Sequence, residues 1–272
     1  MKRRRRQFLA WASVLLAATV ATLWFHTRFH QALPGYAFLT GWTLLGAMLV
    51  LTFYNVWKKL PFLPFGRSET WLQLHIYLGF FTVVLFLVHL DFHAPRGWFE
   101  ITLAWLFALV SGSGMAGILL SRVLPRRLAT RGGEVIFEKI PALRHALKCT
   151  AENLALGPEA QSPVVGEFYV RRLAAFFAGP KYFWLHLVES RRARAALLAE
   201  LEDLQRTGNE NEEAALEKLA ALVRQKDSLD YHRALQLTLK LWLFVHIPLT
   251  YGLLIFTALH IVLVFGFSGG AR

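Results

Sequence analysis

Four of the ten histidines lie inside long apolar runs: His75 and His89 in one, His246 and His260 in another, each pair 14 residues apart. An α-helix turns 100° per residue, so this spacing falls about 40° short of four full turns and puts both members of a pair on nearly one face. The rise between them is about 21 Å, most of a hydrocarbon thickness of about 30 Å. Neutral imidazole is a common metal ligand, and ionisable groups at membrane depth mark functional sites. Two parallel helices carrying this spacing would clamp two flat metal macrocycles, one above the other. The expectation is two haem b groups, with axial pairs His75/His246 and His89/His260. An iron with two imidazoles has no open position, so such centres pass electrons and no catalytic residue is assigned. The competing reading is four structural histidines bonding across helices, which explains one intramembrane histidine better than four at matched spacing. A non-haem metal fits less well, because about 21 Å separates the pairs and no carboxylate accompanies them.

The elements that must position these residues are membrane spans. Of the 272 residues, 55% are hydrophobic and mean hydropathy is +0.39. Five apolar stretches reach spanning length: about 8–25, 36–57, 71–92, 99–121 and 239–266. Trp24, Tyr36, Trp57, Trp71 and Trp98 stand near their ends, as interfacial belts require. By the positive-inside rule, 27 of the 30 Lys and Arg fall on one side: Lys2–Arg6, the 58–70 loop and the 122–240 segment. Only Arg28, Arg96 and Arg272 fall on the other. The expected placement is the inner (cytoplasmic) cell membrane, with the N-terminus cytoplasmic and the C-terminus outside. Spans three and five then run in the same direction, which matches the depths of His75 with His246 and of His89 with His260. The first span, preceded by Arg5-Arg6-Gln7-Phe8-Leu9, reads as an anchor rather than a cleaved leader. A net charge of +12 invites a nucleic-acid reading, but the cations flank apolar spans and no nucleic-acid partner is expected.

The fold class expected is all-α. A bundle of five transmembrane helices carries a mostly helical cytoplasmic insertion, with domains 1–121, 122–238 and 239–272. The insertion holds 15 Asp and Glu and reads as water-soluble. Within it, 134–140 is expected as a short strand and 141–156 as a helix. The segments 187–206 and 211–226 are expected as an αα-hairpin, and Ser228 as the cap of a last helix entering span five. Aromatics crowd 168–184 with Arg171, Arg172 and Lys181 interleaved. They suit an amphipathic helix on the inner leaflet, a core, or a docking face equally.

Lesser features carry less. Cys149 is the only cysteine, so an intrachain disulfide, a CxxC metal pair and covalent haem attachment are all excluded. Gly112, Gly114 and Gly117 spell GxGxxG, but inside an apolar span with no βαβ unit they read as packing or macrocycle-facing positions, like Gly41, Gly46 and Gly79. His26, His30 and His93, near the outer ends of spans one and three, suit interfacial polar roles better than a metal or quinone site. His145, His186 and His232 lack metal spacing. Arg67, Lys58, Lys59 and Lys240 inside, with Arg28 and Arg96 outside, are the cations within reach of propionates.

With these four histidines in place the chain resembles the di-haem transmembrane cytochromes b, most closely the ferric-reductase and NADPH-oxidase type of membrane domain. The resemblance covers 36–121 and 239–266. That family likewise places two histidines on its third helix and two on its fifth, with a cytoplasmic N-terminus. This chain departs from it in lacking a sixth span and a flavin or nicotinamide domain, and in carrying the insertion. What carries over is the haem-bearing conduit: an electron-transfer subunit relaying electrons between soluble redox proteins on one or both faces, within membrane lipid. A quinol oxidoreductase subunit with quinone beside one haem is the alternative. A haem-free membrane scaffold recruiting a cytoplasmic partner is the other.

Overall fold

In a computed structural model, residues 2–59, 68–130, 135–157 and 162–268 are described. Without water, a long apolar segment satisfies its backbone polar groups internally only as a helix. Five such helices form: α1 (Lys2–Phe29), α2 (Tyr36–Lys59), α3 (Ser68–His89), α4 (Trp98–Ala129) and α10 (Glu210–Ser268). Each is long and apolar enough to cross a membrane. Their outward apolar side chains, such as Leu16, Trp105, Ile255 and Val262, are more than 60% exposed, a surface suited to lipid. Between α4 and α10 lie a 3₁₀ turn (Phe137–Lys139), α5 (Ile140–Leu156), α6 (Pro163–Phe168), a π turn (Tyr169–Leu173), α7 (Ala174–Ala178), α8 (Phe183–Leu187) and α9 (Arg192–Thr207). No strand occurs among the described residues.

The chain divides into two compact units, Met1–Ile118 with Leu243–Arg272, and Leu119–Trp242. In the first, α3 packs against both α1 and α2. Its core is Leu44, Met48, Leu85, Phe107 and Leu253, one side chain or two from each of α2, α3, α4 and α10.

The second unit has a core of its own. Leu197 and Leu201 of α9 meet Leu216, Leu219 and Val223 of α10, closed by Ala151, Tyr169, Leu173 and Phe177. The expected αα-hairpin is present. Its second arm opens on one half of a capping box: Asn209 precedes the helix, and Glu212 three residues on accepts from the Asn209 N–H at 2.8 Å. Buried ion pairs complete the unit. Lys226, fully buried, donates to Asp230 and to the Gly179 carbonyl (2.9 Å), while Arg144 pairs with Asp230 at 3.2 Å and Arg194 with Asp227 at 3.1 Å.

Several expected boundaries differ from those observed. The strand at 134–140 does not form. Residue 134 lies outside the described residues, 137–139 make a 3₁₀ turn, and Pro141 sits in the first turn of α5, where its missing N–H costs nothing. The hairpin's first arm begins at Arg192 rather than 187, because Glu189 takes a left-handed φ of 57° and ends α8. Ser228 is not a helix N-cap: it lies inside α10, which meets no Gly or Pro between Glu210 and Ile247 and continues through Pro248 to Ser268. The third span ends at His89, short of 92. Asp91 (φ 50°) and Phe92 (φ 56°) turn the chain, and the Phe92 N–H bonds back to the Leu87 carbonyl at 3.0 Å. The aromatic stretch 168–184 forms no continuous surface helix; Tyr169, Phe176 and Phe177 are core.

Candidate functional site

Within the first unit His89 meets His260, and His75 lies within electrostatic range of His246. α3 ends on His89, and α10 presents His260 across from it. The two rings stand 6.5 Å apart between centroids at 90° to one another. Two imidazoles sharing one metal, with bonds of about 2 Å and nitrogens about 1.1 Å from each centroid, would stand about 6 Å apart. The observed spacing fits one metal between them. Phe99 of α4 stacks on His260 at 6.4 Å.

Both rings line a cleft of ≈ 920 Å³, counting the part open at its mouth. The other walls are apolar, among them Phe38, Leu45, Phe86, Leu103 and Phe107. Gly41 of α2 borders the cleft beside the His89 ring. A Cβ there would stand 3.1 Å from His89 Cε1, closer than ordinary contact. The absent side chain is what lets that ring occupy its place.

Hydrogen bonds fix the proton on His89. The Thr40 hydroxyl donates to the Ala37 carbonyl (3.0 Å) and lies 3.1 Å from His89 Nδ1. With that proton on Ala37, His89 Nδ1 carries the hydrogen and donates it to Thr40 Oγ1. Nε2 is then left with a free lone pair, the form a metal ligand needs. His246 repeats the device on another helix. Ser113 of α4 donates to the Val110 carbonyl at 2.8 Å, and His246 Nδ1 lies 2.7 Å from Ser113 Oγ. Gly114, next in the chain, stands beside the His246 ring.

The inner pair is less open. His75 and His246 lie close enough to interact electrostatically. His75 packs against Tyr54 at 5.0 Å between centroids. His75 Nδ1 is buried and makes no hydrogen bond of good geometry, the backbone of Leu51 being the polar group beside it. Between the two levels stand Leu253, midway along α10 from His246 to His260, and the stacked rings of Phe86 and Phe107, 4.1 Å apart.

The other candidates are distributed elsewhere. His26 is buried, with Nδ1 3.1 Å from the Tyr36 hydroxyl and Nε2 3.4 Å from Asp91. His30 bonds the His26 carbonyl, while His93, beyond the end of α3, is exposed and beside Asp91. No group of three His, Cys, Asp or Glu among the described residues is arranged to hold a metal ion. Lys240 is engaged by Glu138 at 2.7 Å and lies over the Phe137 ring. Arg67 and the side chains of Lys58 and Lys59 lie outside the described residues. His186 and His232 are buried in the second unit, and His145 lies beside Cys149.

Thr40 and Ser113 escaped the sequence reading. Each is a hydroxyl beside a glycine inside an apolar span (Thr40-Gly41, Ser113-Gly114), a pairing that Ser111-Gly112 shares and that does not single them out. No protein-family model matches the chain, and neither a curated protein nor a solved structure is similar to it at a significant level.

Proposed function

We propose that this chain is a multi-pass di-haem b-type cytochrome that relays electrons across the inner (cytoplasmic) membrane between partner redox proteins, its N-terminus cytoplasmic. The observation that carries the reading is that the His89 and His260 rings stand 6.5 Å apart in one apolar cleft, close to the about 6 Å expected of two imidazoles on one metal. Haem would be held by His89 and His260 at the outer level and by His75 and His246 at the inner. When bound, it would supply a one-electron couple. The protein's own part is positioning. Thr40 and Ser113 hold two ligand rings in the Nδ1–H form, Gly41 makes room, and the apolar walls keep water from the centre, which tunes its potential.

The test is haem content and its dependence on each histidine. Purified protein should show a b-type Soret band and two haems per chain. His89→Ala and His260→Ala should each remove one and the same haem, and His75→Ala and His246→Ala the other. A preparation that binds no haem, or depletion of one haem by both His75→Ala and His260→Ala, refutes the reading or its pairing. A chain that stays folded and haem-free would instead be a membrane scaffold. Oxidation of an added quinol by the haem-loaded protein would favour the quinol oxidoreductase alternative.

A further inference from the structure

In the second unit, α8 and the turn after it are fastened from two sides. Phe183 and Leu187 pack against a cluster of Leu124 from α4 with Tyr231, Ala234 and Leu235 from α10, and Leu120, Leu128 and Leu239 border it. Arg127 of α4 donates to the Leu187 carbonyl at 2.8 Å and pairs with Glu189 at 3.4 Å. Tyr231 donates to the same carboxylate at 3.2 Å. The left-handed Glu189 is thus held in place, and the outer side of the turn is determined. That side is apolar: Trp184 is 76% exposed and Val188 72%. A second short segment is fastened to α10 close by. Gln236 donates to the Val135 carbonyl at 2.8 Å, and Lys240 pairs with Glu138 at 2.7 Å, leaving Ile136 56% exposed.

The height of these contacts along the helices matters. Leu239 is the first residue of the apolar stretch 239–266, and Leu124 follows the last residue of 99–121 by three positions, a rise of about 4.5 Å. The headgroup zone beyond each face of the hydrocarbon is about 5–7 Å deep. Tryptophan with an exposed ring at this level is the usual occupant of that zone. The cations nearest in sequence, Arg122, Arg126, Lys181, Arg191 and Arg192, are all exposed. Their sign complements an anionic headgroup.

We propose that Ile136, Trp184 and Val188 form an interfacial foot of the second unit, inserted among anionic phospholipid headgroups of the leaflet where α4 and α10 emerge. The foot keeps this unit on the membrane surface whether or not any cofactor is bound.

Spin labels test it in the full chain. In a Cys149→Ala background, single cysteines at 136, 184 and 188, and at the exposed control position Asp203, are labelled and the protein placed in nanodiscs containing phosphatidylglycerol. The expected result is a ratio of oxygen to nickel-chelate collision several-fold higher at 136, 184 and 188 than at 203, with the ratio at 184 falling in discs of phosphatidylcholine alone. Nickel access at 184 equal to that at 203 overturns the proposal. So does a label at 184 shielded from both reagents, which would mean a protein contact. A ratio at 184 indifferent to lipid charge overturns the anionic-headgroup part.

Discussion

Gly41 offers the sharpest test of the outer site. A methyl group added there would stand 3.1 Å from His89 Cε1, 3.6 Å from Nδ1 and 3.8 Å from Nε2. Ordinary contact begins near 3.4 Å, so Gly41→Ala asks the ring to move by about 0.3 Å, a small overpacking of about 1–3 kcal/mol. His89 cannot yield freely, since its Nδ1–H is tied to Thr40, whose own proton is tied to Ala37. Gly41→Leu adds three further carbons toward the ring and the cleft that His89 shares with His260. The expected series is a modest weakening of outer-haem retention in Gly41→Ala and its loss in Gly41→Leu, while the inner haem stays. Ala17→Leu, at an exposed position of α1, is the control for added bulk. Haem per chain by pyridine haemochrome, with reduced-minus-oxidised spectra, should read near two, then near one for Gly41→Leu, and two for the control. Full occupancy in Gly41→Leu would refute the assignment of this cleft, and equal loss of both haems would show a general packing defect instead.

Thr40→Val and Ser113→Ala remove the acceptor that fixes a ligand's Nδ1–H; each should weaken retention of its own haem by about 10–100-fold and shift that haem's midpoint potential in a redox titration. Leu219→Ala, at a fully buried position of the second unit, should destabilise that unit by about 2–5 kcal/mol, read as faster hydrogen exchange in α9 and the 210–226 part of α10. Glu200 titrates below the usual carboxylate range because Arg172 hydrogen-bonds its charged form. The stability from that pair is therefore present above the unfolded carboxyl pKa and lost as pH falls through the lower folded value. Arg172→Ala should erase this acid-side loss and leave a flatter denaturation midpoint between pH 5 and 3, by a small amount because the pair is exposed. Cys149, partly exposed in α5, should react with an impermeant maleimide only in opened membranes; labelling from outside intact cells would reverse the proposed orientation.

The sequence was informative wherever one dimension carries the physics. Apolar runs of spanning length dictate helices because a chain without water must satisfy its own backbone, and α1 to α4 and α10 follow from that alone. The 14-residue spacing predicts two ligand levels because helical pitch converts residue number into height. The hairpin at 192–226 was legible because its leucines repeat at helical period and Thr207-Gly208-Asn209 breaks them. Partners far apart in the chain were not legible. Thr40 meets His89 across 49 residues, and Ser113 meets His246 across 133. No local pattern marks a hydroxyl whose proton is already spent and which must therefore accept from an imidazole. The aromatics of 168–184 show the same limit. Composition left surface, core and docking face equally open. Only packing against Leu201 and Leu219 buried Tyr169 and Phe177, and only the fastening of Glu189 by Arg127 and Tyr231 turned Trp184 outward. Pitch and solvent set what each segment becomes; which side chains meet is decided when distant segments compete for the same interior space.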